Sequence, residues 1–311
     1  MHVVGEDLRL TIVGAGSPHP SAERFGSSVI IEDSEGAVMV DCGPGTAYKM
    51  VGAGIHPTRI EGLMYTHHHF DHTAGTPSVA LTRWEGTITG HTPLRVAGPR
   101  GTSKFLDALV GPDGAFRPDI QARREAPLSQ QKFQGLGGAL PRPDLEYDVV
   151  ELEAGQGSSM SDRWQIRTGR AYHVQPHHES IAYRIEAHGR SIVVTGDTEY
   201  CPDLDELAQG ADVLIAMCVG TAEHFASSAL QSGQMGTREV NRVARAAGVS
   251  NVILTHTGLS FAHQPQRGRG LREVGEDFAG EVLFADEGLS LSVNVGGRVT
   301  PWRGWTSVDR R

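Results

Sequence analysis

Residues 66–75 read Thr-His-His-His-Phe-Asp-His-Thr-Ala-Gly and contain the spacing H-x-H-x-D-H, formed by His67, His69, Asp71 and His72. Imidazole nitrogens and carboxylate oxygens are the donors that borderline divalent metals such as zinc prefer. Two such metals held side by side activate water for hydrolysis. In an extended segment alternate side chains share a face, so His67, His69 and Asp71 are expected to point one way, with a turn bringing His72 round. More donors follow at a distance: Asp197 in Thr195-Gly196-Asp197-Thr198, His256 after Leu254-Thr255, and a cluster of His173, His177 and His178. Several segments tipped with ligand-type groups in one chain argue against a histidine-rich surface loop.

The elements that must position these groups are short apolar runs. Leu8–Val13, Ser28–Ile31 and Ala37–Val40 are rich in branched residues and bounded by Gly, Pro or Asp, the pattern of β-strands. Asp41-Cys42-Gly43-Pro44-Gly45 closes the third run. A helix is expected from about Thr46 to Gly54, then a strand over Gly62 to Tyr65 leading into the histidines. Further on, Ile181–Glu186 and Ser191–Thr195 read as a hairpin, followed by a short helix near Leu204–Gln209 and a buried strand over Asp212–Val219. Val240, Val243, Ala244 and Ala247 have helical spacing that stops at Gly248, and Asn251–Thr255 is the next strand. Residues of about 99–165 show no sustained period, and the stretch 133–143 is Gly/Pro-rich. They are read as an irregular insertion within one domain spanning 1–311.

Composition narrows the class. The 311 residues suffice for a large buried core. Lys+Arg of 28 against Asp+Glu of 37 gives −9, a balance that argues against a nucleic-acid partner and for a small-molecule substrate. Three cysteines with no C-x-x-C pair make a disulfide framework unexpected. Glu6 and Asp7 stand where a secretory apolar region would lie, and the longest apolar run, Val213–Val219, is too short to span a bilayer. A cytoplasmic protein with no membrane partner is expected. The oligomeric state is open, a homodimer included.

With these motifs assembled, the chain resembles the metallo-β-lactamase fold superfamily. The resemblance rests on Val40-Asp41-Cys42-Gly43, the H-x-H-x-D-H at 67–72, a histidine before Ser180-Ile-Ala-Tyr-Arg, Thr195-Gly-Asp-Thr and Leu254-Thr-His256, and runs to about residue 290. The opening Leu10-Thr-Ile-Val-Gly-Ala-Gly-Ser-Pro, with Arg24 and Ser27-Ser28, is similar to the branch containing tRNase Z, the cyclic phosphodiesterase of phosphonate metabolism and arylsulfatase-like hydrolases. It implies an α/β fold, the four-layer αβ/βα sandwich, with two divalent ions at one edge: Zn²⁺ first, Mn²⁺ or Fe as alternatives. His67, His69 and a histidine of 173–178 would bind the first ion. Asp71, His72 and His256 would bind the second, Asp197 would bridge, and Asp41 would orient a ligand histidine. In relatives the third histidine precedes the Tyr-Arg pair by about seven residues. That spacing lands on Pro176, so a one-residue shortening selects His177, ahead of His178 and His173. His68 should face away.

Two departures bear on the substrate. Met217 and Cys218 stand where relatives carry a glutamate. Gln234-Met235-Gly236 stands where they carry a histidine that protonates the leaving group, and His224 is the candidate replacement. Asp71 would also accept the proton of the nucleophile. The expected activity is therefore dinuclear hydrolysis of a small ester-like substrate (phosphodiester, sulfate ester, lactone or carboxylic ester) by a metal-bound hydroxide. Alternatives are an iron-containing redox member of the fold and a tRNA 3′-processing endonuclease. Ser260 and His263 are further candidate substrate contacts.

Overall fold

The computed structural model describes residues 8–19, 21–227 and 232–303, so Glu6 and Asp7 lie outside the described residues. The N-terminal half runs β1 (Leu8–Gly14), β2 (Ser28–Glu32), β3 (Ala37–Val40), α1 (Thr46–Gly52), β4 (Ile60–Met64), α2 (Phe70–Thr73), α3 (Thr76–Gly86), β5 (Leu94–Gly98), α4 (Thr102–Val110), α5 (Arg117–Glu125), α6 (Pro127–Gly135) and β6 (Tyr147–Glu151). The C-terminal half begins with β7 (Gly157–Ser159), β8 (Gln165–Arg170), β9 (Ile181–Ala187), β10 (Arg190–Val194), α7 (Pro202–Leu207), β11 (Val213–Met217) and α8 (Ala222–Ser227). It ends with α9 (Thr237–Ala247), β12 (Asn251–Thr255), α10 (Leu259–Ala262), α11 (Gln266–Gly275), β13 (Glu281–Phe284), β14 (Ser290–Val293) and β15 (Val299–Pro301).

These strands form two mixed sheets, ordered β15-β14-β1-β2-β3-β4-β5-β6 and β13-β12-β11-β10-β9-β8-β7. The alternation within each strand explains the layering. In β2 and β3, Val29, Ile31, Val38 and Val40 enter a central cluster with Tyr183, Ile185, Ile192 and Ile215 of the opposite sheet. The intervening Ile30, Ala37 and Met39 pack outward with Met50 of α1 and Val79 and Trp84 of α3. Likewise Val193, Leu214, Val252 and Leu254 face outward onto Leu204 of α7 and Val240, Val243 and Ala247 of α9. Both faces of both sheets are therefore covered, giving the expected α/β four-layer sandwich. Gly248, in the left-handed region at φ 62, ends α9 as its spacing foretold.

The range read as an irregular insertion departs from expectation. It contains α4, α5 and α6, and β6 pairs in parallel with β5 over Leu94–Gly98, extending the first sheet. Helix α5 buries only Ile120 and α6 only Phe133. A helix with one buried residue leaves no apolar period to read.

For function the decisive feature is direction. Strands β3 and β4 are parallel neighbours, as are β10, β11 and β12. Their C-terminal ends release Asp41, His67, Asp197 and His256 at one edge of the sandwich, the edge at which such sheets keep their sites.

Candidate metal centre

Thr66 to His69 leave β4 without entering a helix, and His69 is still extended at φ −61, ψ 148 before α2 begins at Phe70. The helical turn carries Asp71 and His72 away from the face shared by His67 and His69. The expectation that His67, His69 and Asp71 line one face is thus corrected. Two donor groups form, His67/His69/His173/Asp197 and Asp71/His72/His256, and within each the ligand atoms all lie within 4.8 Å of one another.

Asp197 joins them. Its Oδ2 lies 3.6 Å from His173 Nε2 and 3.2 Å from His256 Nε2, and its Oδ1 lies 3.5 Å from His72 Nε2. Asp71 Oδ2 is 3.2 Å from His256 Nε2 and 3.6 Å from His72 Nε2, while His69 Nδ1 and His173 Nε2 are 3.2 Å apart. His67 and His72 are fully buried, and Asp71, Asp197 and His256 nearly so. Yet His67 Nε2, His72 Nε2, Asp71 Oδ1 and Asp197 Oδ1 have no hydrogen-bond partner among the described residues. Buried polar atoms are normally satisfied. Imidazoles and carboxylates converging with orphaned atoms fit divalent cations, whose ligands they would become.

The surroundings prepare the donors. Asp41 Oδ2 accepts a 2.7 Å hydrogen bond from His72 Nδ1, and Asp41 also accepts from the Thr66 amide and hydroxyl. His72 therefore presents Nε2 to the donor group, the orienting arrangement expected of Asp41. Burial, aided by the nearby His72, pushes His67 well below the usual imidazole range, so its ring is neutral. At His72 burial acts the same way but is outweighed by Asp197 and Asp41, which hold it well above that range. At Asp197 burial is outweighed by His256 and His72, and the carboxyl is held well below its usual range.

Backbone strain marks the same strand ends. Asp41 (φ 59) and His256 (φ 54) are non-glycine residues in the left-handed region, and Gly196 (φ 59) precedes Asp197. A Cβ at Gly196 would meet Thr66 Cβ at 2.6 Å. Gly196→Ala is therefore expected to destabilise the fold. The left-handed backbone contributes about 1–2 kcal/mol and overpacking against Thr66 about 1–3 kcal/mol. Urea denaturation reads this directly, and an unchanged midpoint would contradict the packing argument.

Other expected residues lie elsewhere. His177, the expected third histidine, is exposed; its amide closes a turn on Val174 O (3.0 Å), while His173 points inward instead. The seven-residue spacing assumed a direct run into β9, and this turn lengthens it to ten. His178 is half-buried, with its ring 5.2 Å from that of His69, outside both donor groups. His224 is exposed on α8, not in a loop, and belongs to neither donor group. His263 pairs with Glu23 at 3.1 Å on the surface, and Ser260 lies exposed on α10. His68 turns away to Thr102 Oγ1 (2.9 Å), as expected. Met217 Sδ accepts the Thr198 amide at 2.9 Å, and Cys218 is a core residue whose thiol burial pushes far up. Sequence reasoning missed Glu199 and Gly233, which contact the His173 assembly and carry no motif that signals it.

Comparison with known proteins agrees with this fold. The model of the metallo-beta-lactamase superfamily matches residues 22–256. Ribonuclease Z of Mycobacterium sp. (strain KMS) is 30% identical over 261 residues, covering 80% of this chain and 84% of that protein. Among solved structures, the metallo-beta-lactamase fold protein YhfI from Bacillus subtilis superposes with a TM-score of 0.69 at 20% identity, covering 92% of this chain and all of that one. Human tRNase Z, short form, gives 0.65 at 18% identity with the same coverage. Relatives named for ribonuclease activity overturn the expectation that a nucleic acid is not the partner. A net charge of −9 sums over the whole surface and does not describe the charge at any one edge. Among the described residues no helix is long and apolar enough to cross a membrane.

Proposed function

The chain belongs to the metallo-beta-lactamase superfamily and is a hydrolase of that fold, and on this premise we propose that it is a dinuclear metal-dependent phosphodiesterase whose substrate is RNA, in the manner of a tRNA 3′-processing endonuclease. The observation that carries the reading is Asp197, a member of one donor group whose oxygens also lie 3.2 Å from His256 and 3.5 Å from His72 of the other. His67, His69, His173 and Asp197 would hold one cation; Asp71, His72, His256 and Asp197 the other. The imidazole-rich set suits zinc, with manganese or iron as outcomes of metal analysis. Such cations would acidify a water and offset the charge that develops on the attacked phosphoryl group.

The chain's own residues supply the rest. Asp41 keeps the His72 proton on Nδ1. Asp71 Oδ1, buried and without a hydrogen-bond partner among the described residues, would take the proton of the attacking water. A cleft of about 470 Å³ borders the segment that carries His173, lined by Arg100, Arg170, Tyr172, Gln175 and Ser180, with Glu153 and Glu179. Its two guanidiniums pair with Glu179 (3.8 Å) and Asp203 (3.4 Å) and would exchange these carboxylates for phosphate oxygens, and Tyr172, 40% exposed, offers a face on which a base can stack.

A smaller phosphodiester is the second reading, favoured by the lack of a histidine at 234–236. A precursor tRNA with a 3′ trailer and bis(p-nitrophenyl) phosphate, each offered with Zn²⁺, Mn²⁺ or Fe²⁺, separate the two. Endonucleolytic removal of the trailer is expected, and it should be abolished by chelation and restored by metal. Turnover of the small diester alone would sink the RNA reading; no turnover of either would sink the hydrolytic one.

A further inference from the structure

We propose that Glu199 is a positioning residue for one of the two cations, acting through Gly233 to fix the ring of His173. The inference rests on the reading of His173 as a ligand.

The need for such a device follows from where His173 sits. His67 and His256 follow directly from strands β4 and β12, whose ladders define their positions. His173 lies in the irregular segment between β8 and β9, where no ladder reaches. Its ring must be fixed by other contacts, and the structure provides a closed set. His173 Nδ1 is 2.7 Å from the Gly233 carbonyl. A carbonyl only accepts, so Nδ1 carries the proton and Nε2 turns its lone pair toward His69 Nδ1 and Asp197 Oδ2. Gly233 is held in turn: its amide donates to Glu199 Oε2 at 2.9 Å. The Glu199 amide donates to Tyr172 O at 2.8 Å, which returns the circuit to the residue before His173.

Two further details show that the circuit is built for close approach. Gly233 has φ 75, and a Cβ there would meet His173 O at 2.4 Å, so only glycine lets this backbone lie against the histidine. On the other side, Gln175 Oε1 accepts the His173 amide at 2.8 Å while its Nε2 donates to Ala171 O at 2.7 Å. Glu199 stands two residues after Asp197, so one short segment both supplies the shared carboxylate and braces the histidine that faces it. None of these contacts involves the second donor group, Asp71/His72/His256.

Unequal cation affinity is the test, read by titrating metal-free protein with Co²⁺ alone and following its visible absorption, with a chromogenic chelator as competitor. Glu199→Ala is expected to weaken one Co²⁺ by about 10–100-fold and leave the other at wild-type affinity. Glu199→Gln should restore the lost affinity, because its amide oxygen still accepts from Gly233. If the alanine variant does not fold, Glu199→Asp, which falls one methylene short, takes its place with the same expectation. Wild-type affinity at both sites overturns the proposal. So does equal weakening of both sites with a lowered thermal midpoint of the metal-free protein, the mark of a general brace. Wild-type protein that takes up no Co²⁺ would instead sink the reading of the donor groups as a metal centre.

Discussion

Asp197→Asn is expected to release both cations and to lower turnover of the precursor tRNA offered as substrate by on the order of 10³-fold or more, with the fold intact. The carboxylate belongs to one donor set and reaches into the other: Oδ2 faces His173 and His256, and Oδ1 faces His72. Asparagine matches its shape, so the packing around Gly196 and Thr198 is unchanged, but it brings no charge and only one acceptor oxygen. Cations in such sites lower the barrier by several kcal/mol, and each 1.4 kcal/mol is a factor of ten, which sets the magnitude. Metal per chain, kcat/KM and the circular dichroism spectrum check the three parts separately. A variant that kept two cations per chain would show that Asp197 does not bridge. Loss of both together with a native spectrum is what a shared carboxylate requires.

Much of this site was legible because its sequence signals are local. His67, Asp197 and His256 each follow a run of apolar residues that forms a strand, and the covering of both sheet faces explains why those runs lack polar alternation. The role of Asp41 came from the family resemblance alone; in the fold, Val40 ends a strand parallel to the one that leads to the histidines, and Asp41 Oδ2 meets His72 Nδ1 at 2.7 Å. What could not be read was set by packing without a period or by contacts between distant loops. Helices α5 and α6 bury one residue each. The split of H-x-H-x-D-H between two donor groups depends on the backbone turning helical at Phe70, and alternation alone does not specify where an extended segment stops. Charge was misleading for another reason: a whole-chain sum does not describe the charge at any one edge of the molecule.

The third histidine is the sharpest instance, and its test has the second large expected effect. His173→Ala is expected to lose one cation and on the order of 10²–10³-fold in kcat/KM, estimated from the several kcal/mol that such a metal supplies, whereas His177→Ala should match the wild type. The contrast follows from burial and reach. His173 Nε2 lies within 3.2 Å of His69 Nδ1 and 3.6 Å of Asp197 Oδ2, while His177 is exposed beyond a turn closed on Val174. Counting back from Tyr183-Arg184 favoured His177 because a spacing rule treats the linker as fixed in length. The turn at 174–177 inserts residues between ligand and strand, and the anchoring of His173 by Gly233 and Gln175 makes that longer linker workable. Metal content and kinetics of the two variants, compared side by side, decide the assignment. Full metal loading in His173→Ala together with loss in His177→Ala would require the segment to refold when cations bind, and would return the ligand to the position that counting selected.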